Sequence, residues 1–245
     1  MIFGAHNDDC LAGCQQLDAG SVDMVFADLP YGTTQNTRDR KVSLDKLWVE
    51  LKRVCKPGAV LVFTAMQPFT SELVLSNTKW FRYAMVWKKN KSRGFLNAKR
   101  QPLRSHEDIL VFYGKQPRYV PQMTADHTPV HAYVKHTSDG TNYGKTKQGV
   151  RGGGSTDRYP TSVLAIPVLN NDDPLRVNAT QKPEALSAWF IQTYTKPGDV
   201  VLDPTFGSGS TLVEAKLRGR QYVGFDTDVA MVSHANRWLD GTPNP

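Results

Sequence analysis

The sequence is poor in cysteine and has no long apolar run. Its three cysteines, Cys10, Cys14 and Cys55, are odd in number and none sits in a CxxC pair. A disulfide framework or a zinc site is therefore not expected; reduced thiols in a cytoplasmic protein are. No metal site is expected. No apolar stretch approaches the roughly 20 residues of a membrane-spanning helix, so no membrane association is expected. The opening MIFGAHNDD carries neither the basic region nor the apolar core of a secretion signal. The glycine-rich segment 207–211 holds no lysine and is not followed by Gly-Lys-Ser/Thr, which argues against a phosphate-cradling loop. It also lacks the third glycine of a dinucleotide fingerprint. No internal repeat is evident.

What remains is the composition of a folded domain. Hydrophobic residues make up 40% of 245 residues, enough for one sizeable α/β domain with room for a smaller insertion. The net charge is +7 and uneven. From Lys79 to Arg118 there are eleven basic residues against Glu107 and Asp108. A basic block can be a solvated face. The interleaved Trp80, Phe81, Tyr83, Trp87, Phe95 and Tyr113 favour instead a polyanion with bases to stack on.

Short apolar runs at 21–28, 59–65, 83–88, 108–113, 199–203 and 221–226 read as buried strands of a parallel sheet. Between them lie helices. Ser43 is placed to N-cap a helix from Leu44, with Leu47, Leu51 and Val54 on one face and Pro57-Gly58 as the stop. Residues 184–194 and 211–218 read the same way. The alternation predicts a doubly wound, mostly parallel Rossmann-like sheet. Residues 115–176, rich in Gly, Thr, Asn, Tyr and His, read as an irregular insertion that reaches a large ligand. The boundaries expected are 1–114, 115–176 and 177–245.

Two segments carry chemistry. Asp28-Leu29-Pro30-Tyr31-Gly32 follows the strand at 21–28 and so lies at the carboxyl edge of the sheet, where ligand clefts form. An exocyclic amino nitrogen on a base is a poor nucleophile, because its lone pair is delocalised into the ring. Two acceptors aimed at its N–H bonds, the Asp28 carboxylate and the carbonyl of residue 29, restore lone-pair density and stabilise the developing positive charge. The base must leave the duplex, and Tyr31 offers a face to stack it on. The second segment, Asp203-Pro204-Thr205-Phe206-Gly207-Ser208-Gly209-Ser210-Thr211, also joins a strand to a helix. Its glycines allow close approach of a ligand, the helix start favours a carboxylate, and Asp203 is placed to meet an ammonium. Asp226 ends the next strand, where an acidic residue binds ribose hydroxyls. S-Adenosylmethionine carries all three groups.

Together the two segments resemble the amino-methyltransferases of DNA, whose catalytic motif is Asp/Asn/Ser-Pro-Pro-Tyr and whose cofactor motif is like Asp-Pro-Phe-x-Gly-Ser-Gly-Thr. The order, catalytic motif first, resembles the β class. Asn7-Asp8-Asp9-Cys10-Leu11 resembles the family's Gly-Asp-Cys-Leu segment, which implies that Asp9 accepts from the cofactor's adenine amino group. Thr180-Gln181-Lys182-Pro183 resembles a turn beside the methionine end of the cofactor, and His106–Phe112 resembles a family strand. The resemblance covers roughly 1–113 and 177–240. It implies an S-adenosyl-L-methionine-dependent enzyme that methylates N6 of adenine in double-stranded DNA after base flipping, with 115–176 as the target-recognition region and a homodimer as a frequent state. Lys88, Lys89, Lys91, Arg93, Lys99, Arg100 and Arg104 are the expected phosphate contacts. N4-cytosine methylation, RNA or protein-amide methylation, and a degenerate nucleic-acid-binding protein are the alternatives. Leu29 stands where the family has Pro, Thr205 where it has Phe, and Ser210 where it has Thr.

Overall fold

Apolar runs set the layers of the fold. The computed structural model describes residues 1–32, 41–134, 149–173, 176–178 and 180–244. In chain order the first half has β1 (Gly4–Asn7), α1 (Cys10–Gln15), β2 (Val22–Ala27), α2 (Leu44–Val54), β3 (Cys55–Ala65), α3 (Phe69–Ser76), β4 (Phe81–Arg93) and β5 (Arg104–Phe112). Then come β6 (Tyr133–Val134), β7 (Arg151–Gly152), β8 (Val163–Ala165), α4 (Glu184–Tyr194), β9 (Val200–Asp203), α5 (Ser210–Leu217), β10 (Gln221–Asp226) and α6 (Val229–Gly241).

Eight strands form one sheet in the order β1-β10-β9-β2-β3-β5-β4-β8. Successive side chains leave a strand on opposite faces, and β2 shows the result. Val25 and Ala27 join one core with Leu47, Leu51 and Leu73 of α2 and α3. Met24 and Phe26 join the other with Leu186, Phe190 and Ile191 of α4. Both faces are covered, which is why the strands read as continuous apolar runs rather than alternating ones. Each fully buried Leu or Phe contributes about 1.5–3 kcal/mol.

The doubly wound, mostly parallel sheet is the architecture expected, with one difference. The run at 108–113 was grouped with the parallel strands, but β5 pairs antiparallel with both β3 and β4. The reason is connectivity: β4 and β5 are consecutive arms of a hairpin, not strands joined by a crossover helix. Two local expectations also change. Ser43 occupies the N-cap position of α2 but makes no side-chain capping bond. The helix ends at Val54, where Cys55 turns extended and enters β3 directly, so Pro57-Gly58 lies inside that strand rather than stopping the helix.

Around β9 and β2 the sheet winds outward in both directions. Val25 of β2 sits beside Leu202 of β9, so the segments following both strands emerge side by side at the carboxyl edge, the switch point where α/β sheets bind ligands.

The described chain divides into a main unit of residues 1–120 and 162–245 and a small unit of 121–161. In the small unit, β6 pairs antiparallel with β7, and Thr124 bridges Arg158. Within the expected insertion 115–176, β8 belongs instead to the main sheet, pairing parallel with β4; residues 135–148 and 174–175 lie outside the described ones.

Candidate active site

A cleft of about 1060 Å³ opens at the carboxyl edge within the main unit. Its lining includes Asp28, Leu29, Pro30, Tyr31, Glu107 and Lys182, and also Asp9, Cys10, Thr205, Gly207 and Asp226.

The segment after β2 is anchored by Leu29, which is 2% exposed and part of the core. Leucine therefore replaces the stiffness of a proline with an apolar anchor. The Asp28 carboxylate is held from three sides. The Tyr31 hydroxyl donates to its Oδ1 at 2.7 Å. The hydroxyl of Thr64, fully buried on β3, donates to the same oxygen. Lys182 Nζ bonds Oδ2. Tyr31 is stacked on Phe69 of α3 at 5.3 Å. Burial, then the charges of Asp28 and Glu107, push its pKa well above 10, so it stays a neutral donor.

Charges alternate deeper in the wall. Lys182 Nζ lies 3.5 Å from Glu107 Oε2, and Glu107 Oε1 pairs with Lys89. Burial pulls the Lys182 pKa down, but Asp28 and Glu107 outweigh it and hold it above the usual lysine value. For Lys89 burial wins over Glu107 and the pKa falls. Glu107 is buried, and among the described residues its Oε2 makes no hydrogen bond. Lys89 is thus displaced from its expected role as a phosphate contact: its side chain is 11% exposed and tied to Glu107.

The two chemical segments touch. Thr205 Oγ1 donates to the main-chain carbonyl of Asp28 at 3.2 Å, a bond that the family's phenylalanine at this place has no hydroxyl to make. The Thr205 N–H donates to Asp203 at 3.1 Å. Gly207 and Gly209 have φ of 55° and 90°, the left-handed region glycine tolerates. A Cβ on Gly209 would stand 2.7 Å from that of Ala235. The Gly207 N–H and the Asp228 N–H donate to Asp226 at 2.9 and 2.8 Å, so Asp226 braces the glycine turn while lining the cleft. Asp9 lines it too, and caps α1 by accepting from Leu11 N–H at 2.9 Å.

The remaining cofactor candidates sit behind the wall. Asp203, Phe206, Ser208, Ser210 and Thr211 are buried, and none of them, nor Gly209, lines the cleft. Asp203 in particular is not presented to an ammonium. Its carboxylate is 3% exposed, accepts from the Thr205 N–H and the Thr211 hydroxyl, and is pushed up to about 7 by burial. Cys10 is likewise raised, to about 11, by burial and by Asp9. Lys88, Lys91, Arg93, Lys99, Arg100 and Arg104 are exposed on the β4–β5 hairpin, and Arg93 and Arg104 reach the cleft. Sequence reasoning missed Thr64, Glu107 as a partner, and the Thr205 link. No described helix is long and apolar enough to cross a membrane, and no described cluster of His, Cys, Asp or Glu suits a metal ion.

The family model described as DNA methylase, of the N6/N4 methyltransferase type, matches residues 22–237. The chain is 38% identical to the type II methyltransferase M.HinfI of Haemophilus influenzae over 78 residues, which is 31% of this chain and only 22% of that protein. It is 24% identical to the type II methyltransferase M.HpaI of Haemophilus parainfluenzae over 253 aligned positions, covering 96% of this chain and 74% of that one. Among solved structures, the M1.HpyAVI–SAM complex is similar at a TM-score of 0.62 and 18% identity, covering 98% of this chain and 100% of that one. The cytosine-N4-specific PvuII DNA methyltransferase is similar at 0.67 and 12%, covering 98% and 87%.

Proposed function

The chain belongs to the N6/N4 DNA methylase family, and from that premise we propose that it transfers a methyl group from S-adenosyl-L-methionine to N6 of adenine in double-stranded DNA. The observation that carries the reading is the Asp28 carboxylate, fixed at the switch point, with the residue's main-chain carbonyl bonded to Thr205 beside the glycine turn. S-Adenosylmethionine supplies an electrophilic sulfonium methyl. Other residues of the lining suit it: Asp9 and Asp226 offer acceptors for amino and hydroxyl groups, and Gly207 carries no side chain to block the approach.

Asp28 and the carbonyl of Leu29 accept from the two N–H bonds of a flipped adenine. Tyr31 and Thr64 both donate to Oδ1, which leaves Oδ2, the oxygen bonded to Lys182, as the working acceptor. Lys182 holds Oδ2 in the absence of a base, and Glu107 Oε2, 3.5 Å away, offers that ammonium a second seat when the amino group arrives. A methyl arriving on that nitrogen would leave positive charge there until one of its N–H protons is lost to solvent, and the negative Asp28 would stabilise that charge. Tyr31 presents its ring to the base from the cleft wall while its hydroxyl keeps the carboxylate in register. The exposed hairpin cations neutralise phosphates and set the register of the duplex. The 115–176 region, including the small unit, reads the target sequence. Cytoplasmic location, pairing into a homodimer, and a role in restriction and modification complete the reading.

Asp28 in the first motif position favours adenine over cytosine. Nucleoside mass spectrometry of DNA from cells making this chain tests it. N6-methyladenine is expected; N4-methylcytosine, or methyl found only in RNA, refutes the adenine assignment.

A further inference from the structure

The β4–β5 hairpin runs on past the end of β3, flanked on its other side by β8. β3 ends at Ala65, which pairs with Asp108, and Asp108 pairs with Val86. Beyond that point β4 continues from Trp87 to Arg93, beside β8 as far as Lys88 and with an irregularity between Lys88 and Arg93, while β5 spans the same stretch from Asp108 to Arg104, an arm of roughly 13 Å at ~3.3 Å per residue. β4 runs parallel to β3, so the arm leaves by the carboxyl edge, the edge that carries Asp28. Arg93 and Arg104 face each other across the arm and both line the cleft mouth.

Past Arg93 the chain turns. Gly94 takes the left-handed conformation, φ 92°, and leads into a single 3-10 turn at Phe95–Asn97. The tip is bonded to itself: Asn97 and Ala98 N–H donate to Gly94 and Phe95 carbonyls at 3.0 and 3.1 Å, and Arg100 and Gln101 N–H both donate to Asn97 at 2.8 and 3.0 Å. The tip is a hydrogen-bonded knuckle rather than an open loop. On it stand two large apolar side chains, Phe95 at 69% and Leu96 at 102% exposure. Single exposed hydrophobics need no explanation, but an adjacent pair on such a tip is a contact waiting for a partner. Arg93, Lys99, Arg100 and Arg104 ring it, all exposed.

We propose that Phe95 and Leu96 form a wedge that enters the base stack beside the target and holds it open while the target base occupies the cleft. The inference rests on the DNA-methylating reading above. Duplex DNA, the substrate of that reading, offers both surfaces: phosphates for the cations, and apolar base faces between them for the tip. Apolar wedges between base steps are a general means of unstacking DNA. Arg93 and Arg104 connect the tip to the cleft mouth, so a duplex seated there meets wedge and cleft together. Ordered in advance by its own hydrogen bonds, the tip loses little freedom on insertion.

The test uses the full-length Phe95→Ala/Leu96→Ala protein and two duplexes carrying the methylated site identified by sequencing. One is fully paired; in the other the target base faces an abasic position and is already loose. We expect kcat/KM on the paired duplex to fall about tenfold or more. On the loosened duplex it should stay within about threefold of the unsubstituted protein, because the opening step no longer needs help. Phe95→Trp/Leu96→Met should restore the paired duplex. Equal losses on both duplexes, or no loss on the paired one, would overturn the wedge. Failure of the unsubstituted protein to methylate either duplex would instead overturn the DNA reading beneath it.

Discussion

Asp203 predicts a stability that declines with pH. Its carboxyl is buried behind the glycine turn, and burial, reinforced by Asp28 and Asp226, lifts its pKa from an ordinary 3.8 to about 7 against the pull of Thr211 and Thr205. The native state therefore holds this proton more tightly than the unfolded chain does. The contribution is fully present below about pH 4 and lost as pH rises through about 7. A rise from 3.8 to about 7 corresponds to about 4 kcal/mol at 1.36 kcal/mol per pH unit. Asp203→Asn keeps an acceptor for the Thr205 N–H and cannot ionise. Urea denaturation of both proteins at pH 5 and pH 8, without cofactor, is the assay. The variant should be the more stable at pH 8, by up to about 4 kcal/mol, with the gap closing toward pH 5. A variant that is less stable at both pH values by the same amount would refute the reasoning, because the carboxyl would then be ionised throughout and worth keeping.

Two further perturbations probe the links across the cleft. Thr205→Val removes only the hydroxyl that reaches the Asp28 carbonyl; we expect about 1 kcal/mol lower stability and a fall in kcat larger than any change in cofactor affinity, read by single-turnover methyl transfer and calorimetry. An unchanged kcat would show that the bond does not position Asp28. Lys182→Met and Glu107→Gln, alone and combined, form a double-mutant cycle on an ion pair whose side chains are 11% and 8% exposed. The coupling should be about 1 kcal/mol or more, measured by chemical denaturation; additive effects would dissolve the proposed alternation of Lys182 between two carboxylates.

The sheet was legible because its strands are covered on both faces and so carry unbroken apolar runs. β10 and α4 fall where the sequence places them. What was hidden is instructive. β1 has four residues, only Ala5 of them buried, too little signal for any periodicity. α6 is announced by its N-cap Asp228, which accepts from Ala230 and Met231 N–H, yet no helix was expected after the strand at 221–226. The reversed β5 was invisible because direction depends on connection, and the hairpin turn at 94–101 is not one of the two-residue types with a sequence signature. At the site, Asp28 and the glycine turn were visible as motifs beside strand ends. Glu107 was seen only as part of a strand, because its partners Lys89 and Lys182 come from elsewhere in the chain and meet it only in the fold. Lys89 was misread for the same reason: its charge counted toward a basic block, while burial and Glu107 decide what it touches.

The central claim is that the Asp28 carboxylate activates the amino group without being needed to hold the cofactor. Asp28→Ala tests it directly, with labelled methyl transfer to DNA at saturating DNA and calorimetric binding of S-adenosylhomocysteine measured on the same preparation. Transfer should fall by about 10²–10³-fold or more, the scale of losing one preorganised electrostatic group, while S-adenosylhomocysteine binds within about threefold of the unsubstituted protein. Methyl transfer at an undiminished rate would contradict the account.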